Sequence, residues 1–190
     1  MRIKMRIEVF DHMDECTDAE VQRLLPLVSA QRREQALRYK HTFGRFCCLK
    51  SWLMLKGMMD ETMSEAMEEW QYNEHGKPSI HHTSGIHFSI SHCKNGIAVA
   101  VDDKPVGIDI ESIRHAEEEL IERTMNAEER RTILSDRDFT RLWTQKEAVV
   151  KAQGTGIESF EQLQKTLDST DMKLDTFETD RYIYSIAYKK

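Results

Sequence analysis

Val106-Gly107-Ile108-Asp109-Ile110-Glu111, or VGIDIE, is the stretch from which the rest of the chain can be ordered. Its strict alternation is that of a β-strand, in which every second side chain shares a face. Val106, Ile108 and Ile110 then point to a core. Asp109 and Glu111 point together to the other face, where two carboxylates at the end of a strand can grip a hard cation such as Mg²⁺. Gly107, on the acidic face, is expected to leave room for a ligand to approach the backbone. Two solvated acids on an edge strand would give the same pattern, so the remaining motifs decide.

Working outward, Ile86–Ser91, Gly96–Val101 and Pro105–Ile110 read as three extended segments, with hairpin-type turns at Asn95-Gly96 and Asp102-Asp103. Residues 3–10 alternate as a strand. Helices follow from Thr17 or Asp18 towards Leu27, from the Ser29 cap through Arg38, and from Phe43 to Met59. A short strand at Glu69–Tyr72 leads into a turn over Asn73–Pro78. Beyond VGIDIE come helices over Glu117–Arg123, from the Asn126 cap to Leu134, over Arg137–Ala152 ending at Gly154, and after Ser159. Strands at Met172–Phe177 and Tyr182–Tyr188 close the chain. Helices and strands come in runs rather than alternating, which predicts an α+β protein. Two similar halves are expected, residues 1–103 and 104–190.

Composition narrows the function. The 190 residues carry a net charge of −6. A basic face suited to general nucleic-acid binding is absent, although local basic clusters can still receive an anionic ligand. Cys16, Cys47, Cys48 and Cys93 fit neither zinc spacing nor a disulfide framework and read as free thiols. No apolar run reaches membrane-helix length, and the charged N-terminus does not resemble a signal peptide. A cytoplasmic, unanchored monomer is expected. Methionines in the 54–67 region read as core, or as part of a docking surface.

Three further motifs carry chemistry. In WTQKEAVVK (143–151) a helix places Trp143, Glu147 and Lys151 on one side, offering a third carboxylate and a phosphate-binding lysine; an ordinary surface Glu–Lys pair has the same spacing. In FSISH (88–92), Ser91 and His92 sit where a strand meets a turn and can meet phosphate; a Ser–His hydrolase pair is a poor reading, because adjacent strand residues point to opposite faces and no nucleophile elbow is present. Arg32, Arg33, Arg38, Lys40 and Arg45, with Lys77 in HGKP (75–78), are basic. Among them Arg32, Arg45 and Lys77 are the candidates for contacting a nucleotide's phosphates.

In this order, the arginine-rich segment 32–45, HGKP, FSISH, VGIDIE, WTQKEAVVK and GTGI (154–157) resemble the phosphopantetheinyl transferase family of the surfactin-synthetase-activating type. The resemblance runs from about residue 30 to 157. It implies halves related by a pseudo-twofold axis, with coenzyme A in the cleft between them. Asp109, Glu111 and Glu147 would hold Mg²⁺, and Lys151 would contact the pyrophosphate. Ser91 and His92 would contact a coenzyme A phosphate. Lys77 and Arg32 would lie near the adenine and 3′-phosphate, with Arg45 in the same basic group. Glu128 falls where the family often carries a glutamate near the metal. Gln35 replaces a basic residue of some relatives.

The implied activity is transfer of phosphopantetheine from coenzyme A to a serine of an apo carrier protein. The carrier would serve fatty-acid, polyketide or nonribosomal peptide synthesis. Glu147, or else Glu128, would act as base. The alternatives are another metal-dependent phosphate enzyme and a non-catalytic coenzyme A or carrier-protein binding module.

Overall fold

In a computed structural model, residues 4–59, 70–80 and 85–189 are described below. The chain is α+β, as expected. Strand β1 (Arg6–Phe10) is followed by helices α1 (Asp18–Leu24), α2 (Ala30–Leu37) and α3 (Thr42–Gly57). Strands β2 (Trp70–Tyr72), β3 (Pro78–Ile80), β4 (His87–Cys93), β5 (Gly96–Asp102) and β6 (Val106–Ser112) come next. Helices α4 (Glu118–Thr124), α5 (Ala127–Thr132), α6 (Asp136–Gln153) and α7 (Phe160–Ser169) precede β7 (Lys173–Glu178) and β8 (Tyr182–Tyr188).

Helix starts follow local chemistry. Thr17, Ser29 and Ser159 each accept a hydrogen bond from a backbone N–H three residues on. Asn126 and Glu129 form a reciprocal capping box at α5. Gly154 ends α6 at φ 76°, the left-handed conformation that glycine adopts without strain. The four cysteines are free, and three are buried. Met54, Met58 and Met59 are core residues, whereas Met63 and Met67 lie outside the described residues, as does Glu69.

Two antiparallel sheets have the strand orders β1-β5-β4 and β6-β8-β7. Strand β5 is buried along its whole length. Ile97, Val99 and Val101 pack beneath α1, α2 and α3. The small residues Ala98 and Ala100 face Val106, Ile108, Ile110 and Ile186 of the other sheet.

Two turns depart from the sequence reading. The β4–β5 hairpin turns at Lys94–Asn95, because Cys93 pairs with Gly96. No hairpin forms at Asp102-Asp103: β6 leaves β5 and pairs with β8, Ile108 opposite Ile186. Pro105 has no N–H to continue the earlier ladder, and the Asp102 carboxylate accepts the Asp103 N–H at 2.7 Å, turning the chain away. Strand β3 was not anticipated; its Pro78 stands at a two-stranded edge, where proline is tolerated.

Strands β4 and β6 are tied by hydroxyls. Ser89 Oγ accepts the Ile108 N–H at 3.0 Å, and Ser91 Oγ donates to Asp109 Oδ1 at 2.7 Å. On the far side α6 lies against β6 and β8, with Ala148, Val149 and Ala152 packed at Ala187. The predicted role of Gly107 is therefore wrong. A Cβ there would overlap the Ala148 carbonyl oxygen and the Ala152 amide nitrogen, so its missing side chain admits a helix rather than a ligand. That close approach brings α6 and β6 into position to share a site.

Candidate active site

Residues from β4, β6, α2 and α6 line one cavity of about 390 Å³, within the range of small-molecule sites. Asp109 and Glu111 come from β6, Trp143, Glu147 and Lys151 from α6, Ser91 and His92 from β4, and Arg32 from α2.

Asp109 is 2 % exposed. Its Oδ1 accepts from Ser91 Oγ and from the Lys151 ammonium at 2.5 Å, and Lys151 also reaches Ser91 Oγ at 2.9 Å. Its Oδ2 is buried with no hydrogen-bond partner. Burial, then repulsion from Asp109, pushes the Glu111 carboxyl up to about 7, with Glu147 a smaller contributor. Burial also raises Glu147, opposed by Lys151 and reinforced by Asp109. These carboxylates thus feel one another's charge in a desolvated place.

No three His, Cys, Asp or Glu side chains among the described residues stand together as a ready-formed metal cluster. Lys151 instead supplies the cation at Asp109. The donor chemistry nevertheless suits a hard divalent ion: three carboxylates line one cavity, and one buried oxygen lacks a partner. His92 meets the Phe43 ring edge-on at 5.8 Å, and desolvation followed by Lys151 lowers its pKa.

Other candidates are placed differently. Arg32, buried, donates to Cys48 O, Gln35 Oε1 and Ser51 Oγ, and its guanidinium lies 4.4 Å from the centre of the Trp70 ring. It lines the cavity as a braced part of its wall. Arg45 donates to Tyr39 O and is not among the residues lining the cavity. Glu128 is exposed on α5 and is not among them either. The buried glutamate there is Glu129, paired at 2.8 Å with the fully buried Lys146. Lys146 belongs to the WTQKEAVVK motif, but neither its spacing nor that of Glu129 assigns either residue a role or shows that the two pair.

Lys77 sits in an adjoining cavity of about 230 Å³ with His75, Gly154 and Gly156. Its ammonium donates to Lys151 O at 2.5 Å and Ala152 O at 3.2 Å, closing the end of α6. Lys77→Met should therefore cost about 1 kcal/mol in urea unfolding, the scale of a lost hydrogen bond. Unchanged stability would return Lys77 to a purely ligand-binding role.

A model of the 4′-phosphopantetheinyl transferase superfamily matches residues 105–186. The chain is 32% identical over 146 residues to the 4′-phosphopantetheinyl transferase psf-1 of Bacillus pumilus, covering 73% of this chain and 63% of that protein. It is 28% identical to 4′-phosphopantetheinyl transferase Sfp of Bacillus subtilis strain 168, over 73% of this chain and 65% of the relative. To AcpT of Salmonella typhi it is 30% identical over 66% of this chain and 72% of the relative. The chain belongs to the 4′-phosphopantetheinyl transferase family. The match spans just under two thirds of the Bacillus proteins' own length. No helix among the described residues is long and apolar enough to cross a membrane.

Proposed function

We propose that the protein transfers the 4′-phosphopantetheine arm of coenzyme A to a serine of an apo carrier protein, releasing 3′,5′-ADP, as a cytoplasmic monomer. The observation that carries this reading is the single cavity combining Asp109, Glu111, Glu147 and Lys151 with Ser91, His92 and Arg32. Asp109, Glu111 and Glu147 would hold Mg²⁺, which when bound supplies positive charge beside the pyrophosphate oxygens.

The serine oxygen bonds to the phosphorus that bears pantetheine, and the pyrophosphate P–O bond on the ADP side breaks. Glu147 orients the serine hydroxyl and receives its proton, directly or through a water. Glu128, exposed and outside the cavity lining, is less well placed for that step. Lys151 turns from Asp109 to the phosphate oxygens, where its charge opposes the developing negative charge. Ser91 and His92 orient the phosphates from β4, and Arg32 strengthens the opposite wall.

The test is incubation with coenzyme A, Mg²⁺ and an apo carrier protein, followed by mass spectrometry of the carrier. A phosphopantetheine adduct with release of 3′,5′-ADP is expected. Coenzyme A cleavage without an adduct, or binding without turnover, would overturn the assignment.

A further inference from the structure

We infer that Lys146, through its pairing with Glu129, is a positioning residue for Glu147, an inference that rests on the transferase reading of the site. Lys146 precedes Glu147 on α6 and turns about a quarter of the way round the helix from it. While Glu147 faces the cavity, Lys146 is 0% exposed. Its ammonium meets Leu163 O at 2.8 Å, Gln164 O at 3.3 Å and Glu129 Oε1 at 2.8 Å. Glu129 Oε2 accepts the Asn126 N–H at 2.8 Å, and Asn126 Nδ2 donates to Asp168 Oδ2 at 3.1 Å. Gln164 Nε2 donates to the carbonyls of Glu122 and Arg123. One buried ammonium thus fastens α6 to α5 and α7, and through Gln164 to the end of α4.

Stability alone does not account for this arrangement. Among the described ion pairs it is the one with both partners nearly excluded from water, at 0% and 9% side-chain exposure. Withdrawing two charges from water costs as much as their attraction returns, and apolar residues of similar volume often hold a fold equally well. What charges add is direction. Opposite the tether, α6 rests on β6 and β8 through small side chains, Ala148 and Ala152, and through the Thr144–Ser185 hydroxyl contact at 2.8 Å. Small apolar contacts permit a helix to roll or slide. The ammonium, hydrogen-bonded to two fixed carbonyls and ion-paired with Glu129, adds a directional anchor on the side of α6 away from the sheet, and that anchor helps set where Glu147 stands relative to Asp109 and Glu111.

Three variants test this: Lys146→Met, Glu129→Leu and the two combined. Each is measured for melting temperature, for Mn²⁺ binding by electron paramagnetic resonance without coenzyme A, and for the Mg²⁺ dependence and kcat of carrier modification. Lys146→Met should melt early, because Glu129 is left charged and buried. The double variant should recover most of the melting temperature while binding Mn²⁺ roughly tenfold more weakly, the scale seen when groups that orient metal ligands are removed. It should also need correspondingly more Mg²⁺ at unchanged KM for the carrier. A double variant with wild-type Mn²⁺ affinity and kcat would reduce the pair to a structural one and overturn the proposal. If the unmodified protein binds Mn²⁺ but transfers nothing, the transferase reading fails, and the Mn²⁺ comparison still decides the role of Lys146.

Discussion

Asp109→Asn should lower the rate of carrier modification by roughly 10²–10³-fold, the effect of removing one charged group aimed at a reacting centre. Two losses combine. A carboxylate disappears from the acidic side of the cavity, and Lys151 loses the partner that holds it beside Ser91. The fold should survive, because asparagine has the same shape and its side-chain oxygen still accepts from Ser91 Oγ. The Lys151 side chain is 30% exposed, so the ammonium released from Asp109 can turn to water, and stability should shift by no more than about 1 kcal/mol. Lys151→Ala should lose a similar factor. The double variant should be little worse than the poorer single one, since residues that act as a unit are far from additive. Rates from mass spectrometry and a melting curve for each variant decide the matter. Activity within tenfold of wild type for Asp109→Asn would remove it from the site.

What could be read in the sequence was local. Thr17, Ser29, Asn126 and Ser159 announce helix starts because a cap bonds to its own first turn. Val106, Ile108 and Ile110 announce a core because alternation is a property of the strand itself. Glu147 and Lys151 share a side with Trp143 because helical spacing puts them there. What escaped depends on partners distant in the chain. Strand β6 pairs with β8 rather than β5, an encounter across about 75 residues that no turn residue near Asp102 records. Lys77 belongs to a quoted motif, yet its ammonium is engaged at the end of α6, 74 residues on. Lys146 and Glu129 have the composition of a solvated surface and are buried only because α5 and α7 close over them. Glu128 is one residue from Glu129, and only the depth of the capping box separates the exposed glutamate from the buried one.

Gly107 is the clearest case of a right residue with the wrong reason, and its replacement should produce the largest loss of stability. In Gly107→Ala the new methyl group would overlap the Ala148 carbonyl oxygen and the Ala152 amide nitrogen, with the Ala152 Cα 3.0 Å away. All three are main-chain atoms near the C-terminal end of α6, so no rotamer change relieves them. The facing residues are already alanines and have no bulk to surrender. The helix must withdraw from β6, opening the Ala148–Ala187 contact and drawing Glu147 and Lys151 away from Asp109 and Glu111. Overpacking of a close-fitting core commonly costs 1–3 kcal/mol, and rigid backbone on the receiving side places this one at roughly 3 kcal/mol or more. Urea unfolding should show that loss, and carrier modification should fall with it in the fraction that remains folded. Gly57→Ala is the matched control of opposite sign: a Cβ there meets nothing within 4 Å, and alanine favours the helical state by up to about 1 kcal/mol. Equal stability of the two variants would mean that α6 does not rest on β6 through Gly107, and the common wall of the cavity would need another explanation.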